Sequence, residues 1–75
     1  MLKLNKVFVA EGLKVDENLG TEEITLEIEE IESTETIETV TVDGKKTEIT
    51  RIHKHGKMFP VYVKESTMEI VQMMF

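Results

Sequence analysis

The sequence contains no cysteine and no tryptophan, and its 75 residues include only one proline, one tyrosine and three phenylalanines. Without cysteine the chain cannot form disulfides or thiolate metal sites. So few aromatic side chains leave little to stack on a sugar or on nucleic-acid bases. A chain of this size buries only about 60% of its unfolded surface. We therefore expect its stability to come from well-packed β structure, a partner subunit or a His/carboxylate metal site.

The patterns that mark common enzyme sites are also missing. Neither a P-loop nor a dinucleotide-binding glycine pattern occurs, and neither Ser33 nor Ser66 lies in a glycine-flanked nucleophile elbow. The length excludes a two-domain enzyme and leaves little volume for a closed cleft. We predict one small domain over residues 1–75, without enzyme activity, cofactor or small-molecule substrate.

Long apolar runs are absent as well. No segment approaches the roughly 20 apolar residues of a membrane span. Residues 1–6 are interrupted by Lys3, Asn5 and Lys6 and lack the uninterrupted apolar region of a secretion signal. These features predict a soluble, cytoplasmic protein that does not enter a membrane.

The residues that are abundant favour β structure. Val, Ile and Thr make up nearly a third of the chain, whereas alanine occurs once, at Ala10. β-Branched side chains fit a pleated strand and lose rotamer freedom in a helix, for which alanine is the best former. The composition therefore predicts a mainly β fold.

Apolar alternation locates the first strands. Residues 2–10 read as one strand with a bend at Gly12 after it, and residues 21–30 read as a second strand with one apolar and one acidic face. Three apolar pairs spaced i,i+3, including Ile49 and Ile52, do not fit simple alternation. At these pairs we expect a bulge, a strand end or a strand buried on both faces.

Turn residues define the second half of the chain. Asp43 and Gly44 lie between two β-rich runs and predict a hairpin with a two-residue type I′ turn, with a three-residue loop and a glycine bulge as the alternative. A second turn is predicted at residues 55–57. The following strand, residues 58–64, contains Pro60, which cannot donate to a ladder and therefore favours an edge or a bulge.

The C-terminal segment has two interpretations. Ser66 and Glu69 have the spacing of a capping box and predict a short helix, whereas the β-rich remainder of the chain favours a last strand. The elements together predict a mainly β fold, a meandering antiparallel sheet of about five strands that is curled or forms a small open barrel. A short C-terminal helix would lie across one end of the sheet, and an α+β fold is the alternative.

Charge is segregated along the chain, whose formal net charge is −6. Positions 11–43 contain twelve acids and one base, and positions 45–64 contain six bases and one acid. Two blocks of opposite sign either neutralise one another across paired strands or present two faces of opposite potential. Charge pairing combined with solubility is the simpler interpretation, because charge runs are usually solvated faces.

Each charge block also suggests a binding function. The basic segment 45–64 could lie along a phosphate backbone, although the acidic chain and its few aromatics count against this. The candidate nucleic-acid-binding residues are Lys45, Lys46, Arg51, His53, Lys54, Lys57 and Phe59. The acids of segment 21–38 could instead imitate phosphates and inhibit a basic protein. The candidate residues for that function are Glu23, Glu27 and Glu29.

The C-terminal segment suggests self-association. Its apolar residues include three methionines, which suit adaptable contacts as well as core gaps. The candidate partner-binding residues are Met68, Ile70, Met73 and Phe75. Our first hypothesis is a non-catalytic β domain for protein interaction or assembly, forming homo-oligomers. His53 and His55 lie two residues apart, but nearby bases would oppose a dication, and we predict no metal site.

Overall fold

The computed structural model describes all residues from Met1 to Phe75. The elements are β1 (Leu2–Val7), β2 (Val9–Ala10), β3 (Lys14–Val15), β4 (Thr21–Leu26), β5 (Ile31–Val40), β6 (Lys46–Lys54), β7 (Val61–Val63) and α1 (Thr67–Met74). Five strands form an antiparallel sheet in the order β4-β1-β7-β6-β5, and β2 and β3 form a separate two-stranded ribbon. The prediction of a mainly β fold with about five sheet strands is confirmed.

The sheet is curled, and it does not close into a barrel. β4 and β5 are the two outer strands, yet only residues 27–30 join them, and Ile28–Glu30 form a 3₁₀ turn. In a flat sheet of five strands the outer strands lie about 19 Å apart, whereas a 3₁₀ turn advances only about 2 Å per residue. The sheet must therefore bend to bring its outer strands together.

The strand order corrects the predicted meander. β5, β6 and β7 do follow one another across the sheet, but β1 lies between β7 and β4. The first strand is also shorter than predicted, because β1 ends at Val7 and the ribbon begins at Val9. The bend expected at Gly12 is confirmed, since this residue has a φ angle of +79° within the turn that joins β2 to β3.

The main core lies on the concave face of the sheet, under α1. It contains Leu2, Leu4, Leu26, Ile52, Val63 and Ile70. Alternation along the strands brings the sheet residues to one face, and Ile70 fills the space between them from the helix. Met74, one helical turn after Ile70, packs against the same cluster.

A second, smaller cluster lies on the opposite face of the sheet. Val7, Val15 and Ile49 are buried there, and the β2–β3 ribbon supplies Val15. The ribbon is tied to the hairpin by a bond from the Val42 N–H to the Val15 carbonyl at 2.9 Å. β6 is thus buried on both faces, one of the interpretations considered for the Ile49/Ile52 spacing.

The hairpin prediction is confirmed, but its turn differs. Gly44 has a φ angle of +89°, and Leu13 is the only non-glycine residue with positive φ. Asp43 therefore lacks the conformation that a type I′ turn requires. The Gly44 N–H donates to the Thr41 carbonyl at 2.9 Å, and the Thr41 N–H donates to the Lys45 carbonyl at 2.7 Å. The connection is the three-residue loop with a left-handed glycine, the alternative form.

The position predicted for the strand after Pro60 is wrong. β7 lies at the centre of the sheet, between β1 and β6, and it contains only three residues. Pro60 immediately precedes its first residue, so the missing N–H is not required by the ladder. The turn expected at residues 55–57 is present, with the Lys57 N–H bonded to the Lys54 carbonyl at 3.2 Å.

The predicted C-terminal helix is confirmed, and the alternative of a last strand is wrong. Ser66 is its N-cap: the Glu69 N–H donates to Ser66 Oγ at 3.1 Å, and the Ser66 N–H donates to Glu69 Oε1 at 3.3 Å. This reciprocal capping box satisfies two backbone donors at the start of the helix.

Glu65 joins three elements through its carboxylate and its backbone carbonyl. Nothing in the sequence pattern distinguishes it from the other acids. Glu65 is only 9% exposed. Asn5 in β1 donates its backbone N–H to Oε1 at 2.9 Å and its side-chain amide to Oε2 at 2.8 Å. Thr50 in β6 donates its hydroxyl to the Glu65 carbonyl at 2.6 Å. These bonds hold the start of α1 against the sheet.

Replacing Ile70 by alanine should lower the free energy of unfolding by about 2–5 kcal/mol, because the change opens a cavity under the helix. The matched control is Ile28→Ala, the same change at an isoleucine that is 41% exposed and lies outside α1, which should cost much less. Urea denaturation followed by circular dichroism measures both values. Equal costs for the two variants would contradict the assignment of Ile70 to the core.

Replacing Glu65 by alanine leaves the part-buried Asn5 N–H without its acceptor, and should cost about 1–3 kcal/mol of unfolding free energy. Glu27→Ala removes an exposed carboxylate that makes no hydrogen bond and serves as the control. Both variants are compared by urea denaturation. If Glu65→Ala unfolds at the urea concentration of the unmodified protein, the carboxylate does not hold the helix.

Candidate interaction surfaces

Among the large apolar side chains of the strands and the α-helix, those with the highest exposed fraction lie on the outer side of α1. Met68 is 70% exposed and Phe75, next to the end of the helix, is 99% exposed. Val71 and Met73 are each nearly half exposed. We call these four residues the outer face of α1. Three of the four predicted partner-binding residues lie in this set.

Ile70 does not belong to the outer face of α1. It is 1% exposed and lies in the main core, so its prediction as a partner-binding residue is wrong. In a helix of 3.6 residues per turn, Ile70 and Met74 share the inner side, whereas Met68 and Val71 share another side. The sequence marked the whole segment as apolar but could not say which side the sheet would cover.

α1 presents almost no charge on its outer side. Glu69 is the only charged residue between Thr67 and Met74, and its carboxylate is engaged by the Ser66 backbone N–H. Gln72 is exposed between Met68 and Met73, so the outer side carries one polar amide among its apolar residues. In this chain the sheet covers only the inner side.

The acidic segment does not form the continuous strand predicted for residues 21–30. β4 ends at Leu26, and Ile28–Glu30 form a 3₁₀ turn. Glu23 therefore lies on the strand, Glu27 at its end and Glu29 in the turn, all three exposed. The row of evenly spaced carboxylates on which the phosphate-mimic hypothesis depended is not formed.

Part of the acidic block pairs with the basic block across β5 and β6. Arg51 Nη1 lies 2.7 Å from Glu35 Oε1, and His53 Nε2 lies 3.9 Å from the same oxygen. His55 Nδ1 lies 3.9 Å from Glu32 Oε2. The Arg51 guanidinium also lies 5.7 Å from the centre of the Tyr62 ring. Exposed pairs of this kind contribute about 0–1 kcal/mol each, so they add little to the stability of the fold.

The four lysines predicted to bind nucleic acid lie in two separate groups. Lys45 and Lys46 are at the hairpin turn, and Lys54 and Lys57 are at the other end of β6. Along a nine-residue strand the ends are about 26 Å apart. None of these four lysines has an acidic partner within 4.0 Å. The single basic stretch of the sequence is therefore divided into two sites, with the exposed ring of Phe59 near the second.

The concave features of the surface are shallow or small. One has a volume of about 490 Å³ and is lined by Glu38, Thr39, Val40, Lys46, Thr47 and Glu48 around the hairpin. The next, about 210 Å³, lies between the ribbon and the sheet. No three His, Asp or Glu side chains come together in a way that could hold a metal ion, and His53 and His55 each face a different glutamate.

No helix in the structure combines the length and the apolar character needed to cross a membrane.

Comparisons of the chain with protein-family models, with curated proteins and with solved structures give no match.

Proposed function

We propose that the chain is a non-catalytic interaction domain that assembles with copies of itself through the outer face of α1. The observation that carries this proposal is that Met68, Val71, Met73 and Phe75 are exposed on and beside α1, whereas the sheet covers only the side with Ile70 and Met74. Contact with another protein surface would remove these exposed apolar side chains from water.

Charge restricts the part of the surface on which a second copy can meet this chain. Each chain carries a formal net charge of −6, so most parts of two copies repel one another. The outer face of α1 is the exception, because the side chains of Met68, Val71, Met73 and Phe75 carry no charge. A two-fold symmetric contact places the same surface on both sides of the interface.

The size of the fold supports the same conclusion. Only twelve of the 75 residues are buried. Each fully buried Val, Met or Phe side chain contributes about 1.5–3 kcal/mol relative to the exposed state. Burying the outer face of α1 between subunits would therefore add substantially to a small core.

Sedimentation equilibrium of the purified chain should show a dimer or larger assembly, and added salt should strengthen it by screening the net negative charge. The double variant Met68→Glu/Val71→Glu should sediment as a monomer, because association would bury unpaired carboxylates. Leu19→Glu is the matched control, since Leu19 is 62% exposed in another part of the surface.

Circular dichroism checks that the double variant keeps its helix and strands. A monomeric parent chain at about 100 µM, well above the Kd of a specific dimer, would reject the proposal. Equal assembly of the parent and the double variant would reject it as well.

One arrangement supports nucleic-acid binding as a second proposed function. Lys54 and Lys57 have no acidic partner, and Phe59, 78% exposed, follows them in the loop before β7. Two cations and one ring match a phosphate backbone with a stacked base. The chain's net negative charge opposes this function, which is why it ranks second.

Fluorescence anisotropy of a labelled single-stranded oligonucleotide tests this second function. Binding should weaken steeply with salt and be lost in Lys54→Glu/Lys57→Glu. The control Lys45→Glu/Lys46→Glu makes the same charge change at the hairpin turn and should keep most of the binding. Absence of binding at 50 mM salt would exclude the function.

A further inference from the structure

The outer strand β5 has an unpaired edge. It is the longest strand, with ten residues from Ile31 to Val40, and β6 is its only strand partner. An edge of this length presents a row of backbone donors and acceptors to which another extended chain can add.

The register with β6 identifies the free backbone groups. The Thr41 N–H bonds to the Lys45 carbonyl, and in an antiparallel pair the hydrogen-bonded positions alternate with positions that point away. Counting back from Thr41, the backbone groups of Thr34, Thr36 and Glu38 point away from β6. These three residues therefore offer three N–H and three C=O groups to a neighbouring strand.

The β2–β3 ribbon limits this edge at the hairpin end. Val15 forms a parallel bridge with Thr41, and the Thr39 hydroxyl donates to the Leu13 carbonyl at 2.7 Å. The stretch from Thr34 to Glu38 lies beyond these contacts. We call this stretch the open edge of β5.

The side chains along the open edge select the charge of a partner. Glu35 and Glu38 lie on it, and Glu32 precedes it, all three exposed. Glu35 is bonded to Arg51 through Oε1, which leaves its Oε2 to a partner. Glu38 stands directly opposite Glu48 in the register, and neither has a basic partner within 4.0 Å. Two like charges in opposite positions destabilise a strand pair, and a cation beside Glu38 would relieve this repulsion.

The same charges argue against a second copy at this edge. Pairing β5 with another β5 would bring the glutamates of both chains together. We propose that the open edge of β5 binds an extended basic segment of another protein by strand addition, with cationic side chains opposite Glu35 and Glu38 and β-branched side chains between them. This site is separate from the outer face of α1 and does not depend on the function proposed for it.

The probe is a peptide of sequence Val-Thr-Lys-Val-Thr-Lys-Val-Thr, in which the lysines have the spacing of Glu35 and Glu38. Fluorescence anisotropy should show binding that weakens with salt. Hydrogen exchange followed by NMR should show new protection at the amides of Thr34, Thr36 and Glu38, because these N–H groups gain acceptors. The same peptide with Glu in place of Lys should not bind.

Two further reagents separate strand addition from general attraction between charges. The lysine peptide with methylated backbone nitrogens keeps its charge but loses its donors, and should bind at least about tenfold more weakly. The variant Glu38→Lys should weaken binding several-fold, and its new lysine faces Glu48, so the hairpin is retained. The control Glu23→Lys makes the same change on β4 and should have little effect.

Three results would overturn the proposal: no binding at millimolar peptide, equal binding of the methylated peptide, or protection on β4 in place of β5. Repeating the titration on Met68→Glu/Val71→Glu separates this proposal from self-assembly. Peptide binding should persist in that variant, whereas its sedimentation reports on the α1 surface alone.

Discussion

The short connection between the two outer strands is the constraint on which the structure depends. β4 and β5 form the two edges of a five-stranded sheet, and only residues 27–30 join them. The sheet therefore curls, and its concave face has space for one helix. Ile70 fills this space from α1, while Glu65 and its bonds to Asn5 hold the helix start in place. Because one short helix covers the concave face, its outer side is exposed to solvent.

The order of the strands determines where the two charge blocks lie in the sheet. The acidic block supplies both outer strands, β4 and β5, whereas the basic block supplies β6 and the segment up to β7 inside the sheet. Negative charge on both open edges opposes pairing between identical chains. Two acid–base contacts between β5 and β6, and a third from β5 to His55 in the turn after β6, use only part of the charge. The unpaired remainder leaves both edges acidic, whereas Met68, Val71, Met73 and Phe75 on the outer face of α1 carry no charge.

Predictions from the sequence succeeded where a short segment contains its own signal. Alternation located most strands, Gly44 marked the hairpin, and Ser66 with Glu69 marked the start of the helix. They were wrong where a signal was incomplete. The type I′ turn and the three-residue loop share the same residues, and Pro60 lies just outside β7, where it does not restrict the position of that strand in the sheet.

For the candidate sites, the sequence by itself determined which segments are apolar, acidic or basic, and therefore which kinds of partner each could bind. Only the tertiary structure decided that Ile70 is buried while Met68 is exposed, that Arg51 is paired with Glu35, and that the lysines form two groups. It also brought Asn5 and Glu65 together across 60 positions of the chain. The physical reason is that composition and local spacing are properties of a segment, whereas burial and pairing depend on which distant segments the curled sheet makes neighbours.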